Sequence, residues 1–288
     1  MTVGIGALCN SGDIAVIASD TRTSFPRSNV RPHDETGKTW DFSIPNPLIA
    51  AVAGRLGDCA TVVSELNRLL GECSRKGEIF TEHMENAVRD ARLKGWARCV
   101  DWKMRMAYGI TLKQWQTGKV PSGKIDQFIH DSIRALIDGQ PFDVELLLAG
   151  YSTRGNILFY KGSRKSPLEP GIAPGILVIG SGGQLAMDHL NRRGQNIECR
   201  LPRTLLHVYE AMQKARKVPD KSVGAPQAFT IVSRDKIWRI RANAPLYEEW
   251  SKVYKNRSST ASLDSSQLAE QQASELLQKH EIKPLIVR

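Results

Sequence analysis

At 288 residues, with 41% apolar and 24% charged side chains, the chain can form one large domain or two small ones and bury a substantial core. No run approaches the roughly 20 apolar residues that cross a bilayer, and the N-terminus lacks the charged-then-apolar layout of a signal peptide. The expectation is a soluble, cytoplasmic protein without membrane contact, and the net charge of +10 raises the question of nucleic acid.

The chain opens MTVGIGALCNSGDIAVIASDTR. Val3, Ile5 and Ala7, then Ile14, Val16 and Ala18, alternate with small residues in the period of half-buried strands, and Asn10-Ser11-Gly12-Asp13 between them is turn chemistry. A β-hairpin is predicted, with Thr2 at its open end. A loop over 24–37 leads to GKTWDF and the apolar strand PLIAAVAG. Over Asp58 to Cys73, apolar residues at three- and four-residue steps (Ala60, Val63, Leu66, Leu69, Leu70) predict an amphipathic helix. Further helices are predicted over about 81–106 and 124–137, the latter stopped by Gly139-Gln140-Pro141. Strands VELLLAGY, NILFYKG and ILVIGSGG follow, then helices from about 184 and over 201–216, then strands AFTIVS and IWRIR. Runs of strands segregated from runs of helices argue for antiparallel sheets layered with helices, not a parallel sheet. From Lys255 the composition turns polar, with a short helical stretch near 266–279 in a tail that is partly disordered or docks on a partner. The expected organisation is a domain over 1–250 and a polar C-terminal extension over 251–288.

Five scattered cysteines without a C-x-x-C pair fit reduced thiols, and six scattered histidines show no ligand spacing, so neither a metal nor another cofactor is indicated. The basic charge concentrates between Arg89 and Lys124, where nine Lys or Arg face only Asp90 and Asp101, interleaved with Trp96, Trp102, Tyr108 and Trp115. That mixture suits single-strand binding, but an amphipathic helix whose aromatic side packs while its basic side is solvated or meets a neighbouring subunit is the preferred reading over nucleic acid. A homo-oligomer is expected, with helices of the 59–137 region contributing its contacts.

The residues Thr2, Asp20, Lys38, Gly54, Ser181 and Asp220 are individually uninformative. In order, however, IAVIASDTR, GKTW, AVAGRLGD, LLLAGY and VIGSGG, followed by a helix leading to Asp220, resemble a proteasome β-type subunit of the N-terminal nucleophile (Ntn) hydrolase superfamily. The likeness spans roughly residues 2–240, and DKSVGAP is most similar to the bacterial Anbu-type proteins. The resemblance implies a four-layer αββα sandwich in the α+β class and assembly into a ring or spiral. It also implies a threonine peptidase or amidohydrolase acting on peptide or unfolded protein.

By that resemblance Thr2, exposed by removal of Met1, is the nucleophile and its own α-amine the general base. An α-amine with a pKa near 7.7–8 suits this role better than a lysine near 10.4. Lys38 would lower the hydroxyl's pKa, Asp20 would orient Lys38, and the Gly54 N–H would receive the oxyanion. Ser181 and Asp220 would complete the network around the amine. Two registers remain open. If Ile5-Gly6 matches the family's Val-Gly, Thr2 falls on the nucleophile; if Val3-Gly4 does, the nucleophile is missing and the chain is a catalytically silent ring or scaffold subunit. Proteasome members often carry a serine three residues after the acid, where this chain has Val223 and, one place early, Ser222. Either Ser222 serves through a local shift or the network is incomplete and activity weak.

Overall fold

The computed structural model describes residues 3–20, 38–42, 44–76, 81–119, 126–138, 142, 144–163, 168–217, 227–241, 244–259 and 263–282. The elements in chain order are β1 (Gly4–Cys9), β2 (Ile14–Asp20), β3 (Thr39–Asp41), β4 (Leu48–Ala53), α1 (Leu56–Arg75), α2 (Thr81–Tyr108), α3 (Leu112–Gln116) and α4 (Gln127–Asp138). There follow β5 (Glu145–Tyr151), β6 (Ile157–Gly162), β7 (Glu169–Pro170), β8 (Ile176–Ile179), α5 (Gly183–Arg192), α6 (Leu201–Ala215), β9 (Gln227–Val232), β10 (Ile237–Ile240), α7 (Pro245–Ser259) and α8 (Leu263–Lys279). Every predicted element is present; β3, β7, α3 and α7 were not anticipated. Three of these four are very short, and α3 is held by a capping box in which Thr111 and Gln114 bond each other's main chain.

Two five-stranded antiparallel sheets form, one ordered β10-β9-β2-β1-β8 and the other β3-β4-β5-β6-β7. One apolar cluster, including Leu8, Ile17, Ile49, Leu147, Phe159 and Ile179, lies between the sheets. A second fills the space between the first sheet and α5–α8, and a third the space between the other sheet and α1–α2. This is a four-layer αββα sandwich. It also explains why β1 and β2 are buried on both faces and not half-buried as their alternation predicts. Val3, Ile5, Ala7 and Cys9 pack toward the helices, while Leu8 faces the second sheet. Gly6 sits where the sheets approach closely: a Cβ there would lie 2.8 Å from the Phe159 ring. The alternation is real, but small against large apolar residues, not polar against apolar.

The turn over Asn10–Asp13 takes positive φ at Asn10, Ser11 and Gly12. It docks on the segment before α6, with Asn10 Oδ1 accepting from Leu201 N–H at 2.9 Å. Helix α6 is buried nearly all round, because α8 covers the side turned away from the sheet with Ala269, Ala273 and Leu277. Its buried Glu210 is satisfied by Arg193 Nε at 2.6 Å and His189 Nε2 at 3.0 Å. Helix α7 runs across the expected domain boundary at residue 250. Among the described residues, no helix is long and apolar enough to cross a membrane and no His/Cys/Asp/Glu group is arranged to hold a metal ion.

Candidate active site

The first two strands bring the site together at the open end of the hairpin. Their register pairs Gly4 with Ser19, and the Asp20 N–H donates to the Val3 carbonyl at 3.2 Å. Asp20, fully buried, turns its carboxylate back to accept the Val3 N–H on Oδ1 at 3.0 Å. Lys38 Nζ donates to both oxygens of the same carboxylate, at 3.1 and 3.0 Å. Lys38 enters from the other sheet, where its carbonyl accepts the Val52 N–H at 3.1 Å just before β3 pairs with β4. The ion pair thus ties the two sheets together at one end of the sandwich. A buried ammonium–carboxylate pair survives desolvation only with good geometry and further donors, which the Val3 N–H supplies here.

Gly54 follows β4 directly and precedes the first turn of α1, exposed and with φ of +139°, a backbone region that favours glycine. Ser181 is exposed in the turn between β8 and α5. That turn is fixed by two bonds: Gly180 N–H donates to Glu145 Oε2 at 2.5 Å, and Gly183 N–H to the Gly180 carbonyl at 3.0 Å. Glu145 opens β5 opposite Ala53, the residue before Gly54, and has Lys161 Nζ 3.9 Å away. The carboxylate therefore lies between the Gly54 and Ser181 loops. Sequence reasoning missed it, although an acid at the head of the apolar run ELLLAGY was a usable signal. Thr2, Asp220 and Ser222 lie outside the described residues. Of the other four, Asp20 and Lys38 are in direct contact, while Gly54 and Ser181 occupy the loops at the same strand ends.

Burial raises the Cys9 thiol far above its ordinary pKa, so it stays protonated and inert. None of the five cysteines, all within the described residues, forms a disulfide.

Comparison with solved structures finds the same architecture in Anbu proteins. An Anbu Gly-1 mutant from Hyphomicrobium sp. strain MC1 superposes with a TM-score of 0.60 at 16% identity, covering 91% of this chain and 98% of its own. Anbu, the ancestral beta-subunit, from Yersinia bercovieri gives 0.53 at 14% identity, over 90% of this chain and 97% of its own. Anbu from the helical assembly of the Pseudomonas aeruginosa complex gives 0.55 at 14%, over 98% and 97%. No family model and no curated protein matches the chain. The chain therefore shares the fold of these Anbu proteins along nearly its whole length.

Proposed function

We propose that the chain is an Anbu-type, proteasome-like subunit that hydrolyses peptide bonds with Thr2 as nucleophile, after removal of Met1 and without a cofactor. One observation carries this reading: the main-chain N–H that follows Thr2 in the sequence donates to the carboxylate that also holds Lys38. An acid–lysine pair so close to residue 2 supports the register in which Thr2 is the nucleophile. The strand registers support it further. β1 pairs Gly4 with Ile179 on one side and Ser19 on the other, so Asp20 and the Ser181 turn both stand at the N-terminal end of β1.

In this mechanism the α-amine of Thr2 takes the proton of Oγ as Oγ attacks the substrate carbonyl carbon. Lys38 stabilises the negative charge near Oγ, and the Gly54 N–H receives the oxyanion. The tetrahedral intermediate collapses by breaking its C–N bond, the departing amine taking the proton from the Thr2 ammonium. Water then attacks the ester with the amine again as base, releasing the acid and restoring Thr2. Ser181, Asp220 and Ser222 are assigned to holding the amine and passing its proton. The substrates are peptides or unfolded proteins, and the subunit associates with copies of itself, a reading supported by the helical assembly formed by the Pseudomonas aeruginosa protein.

The test is intact mass spectrometry with and without a peptide epoxyketone, which reacts with an N-terminal threonine through both Oγ and the amine. The expected result is a chain lacking Met1 that gains one adduct, with adduct and peptidase activity both lost in Thr2→Ala while the fold persists. An active protein that retains Met1, or a Thr2→Ala variant with unchanged activity, would overturn this mechanism and leave a silent subunit.

A further inference from the structure

We propose that the far end of α2, with α3 and α4, is a head-to-tail joint between copies of this chain, the Trp102 face of one copy seating on the Phe128 face of the next. This rests on the self-association proposed above and adds which surfaces meet. Over its first half, α2 buries Met84, Val88 and Ala91 among the side chains of α1 and its sheet. Gly95 continues that stripe, its Cα hydrogen turned toward Phe142 and Val62. The spacing of four, three and four residues carries on to Arg98 and Trp102, with Met106 a turn further. α1 does not reach that far. Val62 lies level with Gly95 and Glu65 is bonded to Lys94, so α1, which begins at Leu56, ends near the turn that holds Trp102. The stripe therefore runs into solvent, with Trp102 62% and Met106 71% exposed.

The second half of α2 is instead covered on its other side. Val100 and Met104 form a small separate core with Ile110, Leu112 and Ile133, and Trp115 and Leu136 pack at its edge. At 100° per residue, Trp102 is about 200° around the helix from both Val100 and Met104. α4 lies on that covered side and buries Ile133, so Phe128, five residues earlier and 77% exposed, projects away from α2. The tip thus carries two apolar patches on opposite sides.

Their charges decide how they pair. Arg98 and Arg105 lie one turn to either side of Trp102, Arg105 also paired with Asp101, while Asp131 lies one turn beyond Phe128 on α4. Two Trp102 faces brought together would set arginines against arginines, whereas a Trp102 face on a Phe128 face sets Arg98 and Arg105 near Asp131. Two different patches on opposite sides make a heterologous contact, which propagates as an open helix or closes as a ring. Exposed tryptophan and phenylalanine at the centre of such a patch are the residue types that anchor interfaces.

The experiment uses the full chain and two charge variants at exposed positions, Trp102→Asp and Phe128→Lys, each checked for folding by circular dichroism. Native mass spectrometry and sedimentation read the assembly. The expected result is that each variant alone assembles at least about 30-fold more weakly than the unaltered chain, while an equimolar mixture forms a complex with one copy of each that neither forms alone. The mixture pairs the intact Phe128 face of one variant with the intact Trp102 face of the other. If the unaltered chain assembles and either variant assembles as well, or if the mixture recovers nothing, the joint is wrong and self-association stands. If the unaltered chain is monomeric throughout, self-association and the joint fail together. Trp102→Asp weakening the binding of a single-stranded oligonucleotide to a monomeric chain would likewise overturn the joint.

Discussion

Asp20 and Lys38 hold each other at the bottom of the candidate site, and the energetics of the pair separate stability from chemistry. Removing one partner leaves a buried charge without its counter-charge, which costs about 3–5 kcal/mol. Lys38→Met is therefore expected to lower the melting temperature markedly and to abolish peptide hydrolysis. In the double variant Asp20→Asn with Lys38→Met no buried charge remains, and Asn still offers an oxygen to the Val3 N–H. Its melting temperature should recover most of the loss while hydrolysis stays absent. Thermal melts and a fluorogenic peptide assay on the three proteins check this; recovered activity in the double variant would remove Lys38 from the mechanism. Asp20 and Lys38 were identified from motif order in the sequence. Glu145 was not, because what singles it out is the Gly180 amide it accepts, and that amide lies in the turn after β8 of the other sheet.

Helices α1 and α2 are joined by a short connection and clamped by Glu65, which accepts from Arg68 Nη2 and Lys94 Nζ, both at 2.5 Å. The Arg68 and Lys94 donors hold the Glu65 carboxyl down from 4.5 to about 2. A depressed carboxyl stabilises the fold fully above its unfolded pKa, and that contribution is lost as pH falls from about 4.5 toward 2. Both basic partners are about half exposed, so solvent screening keeps the gain small. Glu65→Gln should accordingly be less stable than the unaltered chain at neutral pH, with the gap closing below pH 4.5. Denaturant melts across that range test this, and a gap that widens on acidification would contradict it. Helix α2 itself shows what a sequence pattern conceals. Its two halves bury opposite faces, so apolar residues lie all round it and its composition alone reads as a basic aromatic stretch. Trp96, Tyr108 and Trp115 pack as the sequence suggests, and Trp102 does not.

Across the whole molecule, the C-terminal helices complete the core that α6 begins. Leu277, 4% exposed, packs with Ala273 in the cluster that reaches through α6 to β1 and β2. Leu277→Ala is expected to cost about 2–5 kcal/mol, the range for a truncated buried leucine. Equilibrium unfolding measures it, and a cost near zero would mean that α8 adds nothing to the fold. The polar composition of residues 255–288 points the other way, because a three-residue apolar stripe of Ala269, Ala273 and Leu277 is too narrow to stand out among Ser, Gln, Glu and Lys.

By itself the sequence determined the hairpin, the strands and long helices, their segregation into antiparallel sheets and helical layers, and the ordered motifs that single out Asp20, Lys38, Gly54 and Ser181. These follow from local causes: side-chain period and turn residues with positive φ. Only the tertiary structure decided that β1 and β2 are covered on both faces, that α8 closes over α6, and that α2 leaves Trp102 in solvent. It also decided that one carboxylate joins the Val3 N–H to Lys38 across two sheets. Each of these depends on which surface meets which at long range, and a one-dimensional pattern records that a residue is apolar or charged without recording what will stand opposite it.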